Sequence, residues 1–350
     1  MIKREVFGKM PSGEEVYAYT LVNAFGSSVK VISLGATLVS INVPDKNGQL
    51  ADVICGYDDV NSYLTNGGYQ GAIIGRFGNR IKSSKFSIDG VEYKLYNNEG
   101  ENHLHGGKEG FDKKLWDAKY YEIGTTLYLE MSYFSKDMEE GYPGNLSVKV
   151  IYSFDHNNTL KINYLASTDK KTVLNLTNHA YFNLGGFGSS KITSHKLWLD
   201  ADKISEIDEH LIPTGKELYV ENTPFDFRTE KLIGKHIDAD DAQLKFGQGY
   251  DHNYILNSDG TVKHIATLTD TYSGRSMRVY TNQPCVQIYT ANCIDESESP
   301  FKNNTPQKKR CAVCMETQHA PDSPNRPEFP SCILDPSEIY NFTTVFEFVR

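Results

Sequence analysis

His179, in Thr177-Asn178-His179-Ala180-Tyr181-Phe182-Asn183-Leu184, ends an alternating apolar run and is followed by aromatics and amides. An imidazole titrates close to neutrality, so it can take or give a proton. Val173, Leu174 and Leu176 lead into it, and His179 is therefore expected to leave a sheet at a strand end, aimed into a cleft. A lone histidine among apolar residues serves equally as a satisfied core or turn residue. Its meaning depends on the other reactive side chains in the chain.

Glu316 stands in Cys311-Ala312-Val313-Cys314-Met315-Glu316-Thr317-Gln318, a carboxylate set into an apolar strand. Such a group needs a partner or a purpose, and desolvation raises its pKa and makes it a better base. Gly75-Arg76-Phe77-Gly78-Asn79-Arg80-Ile81 places two guanidinium groups among glycines. Each offers a rigid fork of donors for paired oxygens, or is tied into a structural ion pair. Glu101-Asn102-His103-Leu104-His105-Gly106-Gly107 puts two histidines on one face if the segment is extended. That spacing suits metal ligands, with His179 or Glu316 as a third, but also suits neutral donors, so metal-assisted hydrolysis stays open at this point. Asp251, in Gly249-Tyr250-Asp251-His252-Asn253-Tyr254, and Gln287, in Pro284-Cys285-Val286-Gln287-Ile288-Tyr289, are polar residues at or in strands. Cys311-Ala312-Val313-Cys314 has the gap of a zinc half-site without a second pair, and in a strand its two thiols point to opposite faces. Six irregularly spaced cysteines in 350 residues read as reduced thiols, not as a disulfide framework.

The elements that must position these groups are strands. Alternating runs cover Glu15 to Val22, Ser28 to Ser33 and Ala36 to Val43, and the last ends at a Pro44-Asp45-Lys46-Asn47-Gly48 turn. Leu146, Val148, Val150, Tyr152 and Phe154 alternate with polar partners, and after Asp155-His156-Asn157-Asn158 the run Leu160, Ile162, Tyr164, Ala166 follows. The two runs predict an antiparallel hairpin. Only Asp58 to Leu64 and Asp238 to Phe246 suggest helix, a turn or two each. The fold class is therefore all-β, a large antiparallel β-sandwich, read as one domain over residues 1 to 350 because no linker divides the chain. Acids and bases are interspersed at a net charge of −9, which leaves no basic stripe for nucleic acid. No apolar run approaches a membrane span, and the N-terminus lacks a signal-peptide core, so a cytoplasmic protein is expected.

Motifs nearly end to end carry a resemblance. They are Gly-Arg-Phe-Gly-Asn-Arg (75 to 80), Leu-His-Gly-Gly (104 to 107), Gly-Tyr-Pro-Gly-Asn-Leu (141 to 146), Thr-Asn-His-Ala-Tyr-Phe-Asn-Leu (177 to 184), Pro-Phe-Asp-Phe-Arg (224 to 228), Tyr-Asp-His-Asn (250 to 253), Gln-Pro-Cys-Val-Gln-Ile-Tyr-Thr (283 to 290) and Glu-Thr-Gln (316 to 318). In these the chain resembles the aldose 1-epimerase, or galactose mutarotase, family. The resemblance implies interconversion of the α and β anomers of free aldohexoses such as galactose and glucose, with the sugar in an open cleft on one sheet. It implies Glu316 as general base at the anomeric hydroxyl and His179 as general acid at the ring oxygen. Asn79, Arg80, His105, Tyr181, Asp251 and Gln287 are the implied sugar-binding positions, while Arg76 is assigned no sugar contact. No metal and no cofactor are implied. The expected partner is a small-molecule aldose, and the chain is expected to be a monomer or homodimer. The nearby carboxylates are expected to outweigh burial and keep His179 protonated near neutrality. The chain departs from the family pattern between Asn292 and Cys311, with Asp295-Glu296-Ser297-Glu298-Ser299-Pro300 and Lys308-Lys309-Arg310 in place of a shorter glycine-containing loop. That change bears on substrate preference more than on the chemistry.

Overall fold

The computed structural model describes residues 1–65, 67–189, 191–294 and 299–350. Alternation at period two gives a strand one dry and one wet face, and the hairpin expected from it is present. Leu146–Phe154 pairs antiparallel with Thr159–Thr168, from Leu146 opposite Thr168 to Phe154 opposite Leu160. Val148, Val150, Tyr152, Ile162 and Tyr164 are buried, and each fully buried aliphatic side chain contributes about 1.5–3 kcal/mol. The hairpin lies within a nine-stranded sheet ordered Asp117–Ile123, Thr126–Ser135, Leu146–Phe154, Thr159–Thr168, Tyr340–Val349, Ser276–Thr281, Lys263–Thr269, Lys196–Leu199, Lys231–Leu232.

A seven-stranded sheet faces it, ordered Pro213–Tyr219, Ala201–Ile207, Asp251–Leu256, Cys285–Tyr289, Val313–Gln318, Tyr181–Phe182, Ile54–Cys55. One apolar cluster joins the two, with Val286, Ile288, Val313 and Met315 from the smaller sheet and Val150, Ile162, Val279 and Phe346 from the larger. The Phe182 and Phe346 rings meet at 5.0 Å, and the Thr317 and Thr344 hydroxyls hydrogen-bond across the same interface. A five-stranded sheet, from Ile2–Lys9 to Leu50–Asp52, adds Leu21, Val29 and Val31 to that cluster. The α-helices among the described residues are Val60–Thr65 and Ala242–Gly247, six residues each, where the sequence placed its helical turns. Asp241 caps the second, its side chain accepting from the Gln243 and Leu244 backbone N–H groups. No helix among the described residues is long and apolar enough to cross a membrane.

Candidate active site

Every residue of the strand Val313–Gln318 is buried, and its alternate side chains serve two different interiors. Val313 and Met315 enter the core between the sheets, whereas Cys314 joins a second apolar cluster on the opposite face, which Glu316 shares. Register then gathers a site on that face. Gln287 stands opposite Glu316, Tyr289 and Tyr181 opposite Cys314, and Asp251 opposite Tyr289. A cleft of about 350 Å³ opens there, lined by Asn79, Arg80, His105, His179, Tyr181, Asp251 and Glu316. A roomier hollow of about 450 Å³ on the larger sheet, lined by residues such as Tyr133, Phe134 and Val148, includes no histidine, so chemistry and not volume singles out the first.

His179 follows the two-residue strand Thr177–Asn178, at a strand end as expected. Its backbone N–H donates to the Ala72 carbonyl at 3.0 Å and its carbonyl accepts from the Gly71 N–H at 2.9 Å. Its ring stacks on Tyr181 with centroids 5.1 Å apart. The result is that Nε2 lies 3.6 Å from Oε1 of Glu316, with the two side chains only 6% and 2% exposed. Burial, and then the charge of Asp251, raises the Glu316 carboxyl well above its ordinary range. Burial lowers the His179 imidazole to about 4. This overturns the expectation that carboxylates would hold His179 protonated: the carboxyl beside it is itself pushed toward its neutral form and offers the imidazolium little stabilisation.

His105 sits just past the strand His103–Leu104, with a left-handed φ of 51°. Its Nδ1 accepts from the Asn79 N–H at 3.1 Å, and its own backbone N–H donates to the Asn79 carbonyl at 3.1 Å. Burial, with His179 next in effect, depresses its pKa well below 6.5, so the ring is neutral and its proton is on Nε2. His105 therefore meets a ligand as a donor. This bears on the metal-ligand alternative through donor chemistry. His105, His179 and Glu316 bring one potential ligand atom each within 4.8 Å of one another, but a His105 ring with Nδ1 engaged and Nε2 protonated has no lone pair to give. The two ligands left fall short of the three that a catalytic zinc takes.

Arg80 lies in the strand Arg80–Ile81, where its Nε and Nη2 donate to Glu99 at 2.8 and 2.7 Å. The Asn79 side-chain oxygen accepts from the Arg80 N–H at 2.9 Å, which fixes the turn that carries both. Asp251 accepts from Gln287 Nε2 at 2.6 Å, and burial raises the Asp251 pKa. Gln287 lies on the same face, opposite Glu316, its Oε1 without a partner among the described residues and its Nε2 engaged by Asp251. The Tyr181 hydroxyl is likewise engaged, donating to the Gly68 carbonyl at 2.8 Å, which leaves its ring to form the wall. Sequence reasoning passed over Glu99, Tyr69, Tyr289, Leu211, Cys293 and Ile294, all of which line the cleft. Glu99 sits in a polar turn that looks like any solvated loop. Tyr69 had a signal, an aromatic between glycines in Gly67-Gly68-Tyr69-Gln70-Gly71; its ring is 4.7 Å from that of His105.

The family model described as Aldose 1-epimerase matches residues 17–347. The chain belongs to the aldose 1-epimerase family. It is 41% identical to the galactose mutarotase of Bos taurus over 99% of this chain and 98% of that one. Identity to the aldose 1-epimerase of Escherichia coli K12 is 35%, over 97% of each chain. The crystal structure of galactose 1-epimerase from Lactobacillus acidophilus superposes with a TM-score of 0.88 at 28% identity, covering 100% of this chain and 98% of that one. Like the aldose 1-epimerases it resembles, the protein is an isomerase.

Some residues of the aldose 1-epimerase motifs hold the scaffold and stay away from the cleft. Arg76 is buried, with Nε bonded to the Ser135 hydroxyl at 2.9 Å, Nη1 to the Pro143 carbonyl at 3.0 Å, and Nη2 to the Ser135 and Lys136 carbonyls at 3.0 and 2.8 Å. His103 does not share a face with His105, because the left-handed residue 105 turns the chain. Its Nδ1 donates to the Tyr96 carbonyl and its Nε2 accepts from the Tyr142 hydroxyl, each at 2.6 Å. All six cysteines are free thiols. In the 292–311 segment, Lys302 Nζ bonds Asp52 at 2.7 Å and the Ile54 carbonyl at 2.9 Å, and Arg310 pairs with Asp238. Asp295, Glu296, Ser297 and Glu298 lie outside the described residues.

Proposed function

We propose that this protein interconverts the α and β anomers of free aldohexoses, galactose and glucose among them, by proton transfers between Glu316, His179 and the sugar. The observation that carries the reading is the buried Glu316 and His179 pair, 3.6 Å apart inside a cleft of about 350 Å³. Glu316 takes the proton of the anomeric hydroxyl while His179 gives one to the ring oxygen, which breaks the C1 to ring-oxygen bond and leaves an open-chain aldehyde. Rotation about C1 to C2 and the reverse transfers close the ring as the other anomer. Each positioned acid or base contributes about 10²- to 10⁴-fold. Asn79, Arg80, His105, Asp251 and Gln287 bind sugar hydroxyls, with Tyr181 as a wall and Gln287 also bonded to Asp251.

Charge supports an unphosphorylated substrate. Among the described residues, Glu99, Asp251 and Glu316 are the cleft's acidic groups and Arg80 is its cation, already doubly bonded to Glu99. Among these groups a phosphate would meet net repulsion and no free basic cluster. The test is polarimetry on freshly dissolved α-D-galactose and α-D-glucose. Catalysed relaxation to the equilibrium rotation is expected; an unchanged rate alongside measurable sugar binding would mean a lectin. Release of aglycone from an aryl glycoside, with no effect on free sugar, would mean a glycosidase.

A further inference from the structure

Glu99 touches both the cleft and Arg80, yet no proton transfer uses it. Its carboxylate grips one edge of the guanidinium, Oε2 accepting from Nε at 2.8 Å and Oε1 from Nη2 at 2.7 Å. Two parallel charge-assisted bonds fix the plane as well as the position of a group that otherwise swings on a flexible stem. Nη1, on the opposite edge, takes no hydrogen bond among the described residues. Asp251 acts on the same cation, since its charge and that of Glu99 together keep Arg80 ionised against burial. An arginine released from Glu99 would therefore have a competing anion within the cleft.

Glu99 is itself held. Its backbone N–H and carbonyl bond the Asn102 carbonyl and N–H at 3.1 and 2.9 Å, closing a tight turn. The neighbouring Asn98 side chain bonds the Leu104 N–H and carbonyl at 2.8 and 2.9 Å, tying that turn to the strand end that presents His105. The Glu99 side chain is 34% exposed against 11% for Arg80, so the carboxylate is the outer member of the pair and the guanidinium the more deeply buried.

We propose that Glu99 is a positioning residue for the sugar. It fixes the Nε and Nη2 edge of Arg80, presents Nη1 to a sugar hydroxyl, and keeps the cation from collapsing onto Asp251, whose carboxylate stays open to a second hydroxyl. This rests on Arg80 being a sugar contact, as proposed above. Steady-state anomerisation of α-D-galactose by Glu99→Gln, Glu99→Ala, Arg80→Ala and the Glu99→Ala, Arg80→Ala double variant tests it. KM should rise about tenfold in both Glu99 variants, kcat should stay within about threefold, and the pH limits of kcat should not move, because the Glu316 and His179 pair is untouched. On the Arg80→Ala background, Glu99→Ala should add less than about twofold, the non-additivity expected of two residues acting as one. A Glu99→Ala KM equal to wild type while Arg80→Ala raises KM would overturn the inference and leave the sugar-binding role of Arg80 standing. So would a Glu99→Ala effect that multiplies fully on the Arg80→Ala background, which is the mark of a separate structural role. An unchanged KM in Arg80→Ala would overturn both.

Discussion

Glu316 and His179 must hold one proton between them for the reaction to run in either direction. Ring opening begins from an ionised Glu316 and a protonated His179, and it ends with the proton placements exchanged. Burial pushes Glu316 up and His179 down to about 4, so the free cleft rests with the proton on Glu316, the arrangement that matches the open-chain half of the cycle. The sign of the pH dependence follows. Below about pH 4 His179 gains a second proton for the pair and the base is lost, and above the raised value of Glu316 the last proton leaves and the acid is lost. The rate should fall on the acid side near pH 4 and on the basic side above the raised value of Glu316, with a plateau between, and a pH profile of kcat checks it. His179→Asn should cost about 10²-fold or more and abolish the acid limb, whereas His105→Asn should raise KM and keep both limbs. The residue types were legible in the sequence, since an imidazole at a strand end and a carboxylate in an apolar strand stand out. Their protonation was not. It depends on how completely two strands from distant parts of the chain enclose them.

At the scale of elements, one short motif sends two arginines in different directions. Arg76 knits the Ser135, Lys136 and Pro143 carbonyls together, while Arg80 emerges into the cleft. Arg76→Met should leave those carbonyls without donors and lower unfolding stability by roughly 3 kcal/mol, read as a shift in the urea midpoint. Arg80→Ala should instead show itself in KM. Which arginine did which could not be read from spacing, because both are bracketed by glycines and strand residues. Strand alternation was far more informative. The hairpin of 146–168 follows from period two alone, since a sheet with one buried face fixes its own register, whereas the strand around Glu316 is buried on both faces and shows itself only as an apolar run. The pairing of His103 with His105 failed for a backbone reason, a left-handed residue at 105 that no side-chain pattern announces. Glu99 failed for another: a charged residue in a polar turn has no mark of the partner that makes it specific.

Across the whole molecule, the site is assembled from segments far apart in sequence, at residues 79–80, 105, 179–181, 251 and 316, brought to one face of the seven-stranded sheet. The opposing nine-stranded sheet supplies the core on which this sheet packs, through contacts such as Phe182 with Phe346. With Nδ1 of His105 engaged by the Asn79 N–H, the proposed acid–base reaction calls for no ion, and exhaustive dialysis against a strong chelator is expected to leave activity intact. Loss of activity restored by zinc would revive a ligand role for His105, His179 and Glu316. The central claim is that buried Glu316 works as the base for anomer exchange, and polarimetry of freshly dissolved α-D-galactose with Glu316→Gln against wild type tests it most directly. The variant keeps the side chain's shape, so sugar binding should persist while kcat falls about 10²-fold or more. A folded Glu316→Gln protein that relaxes the rotation at the wild-type rate would contradict the account.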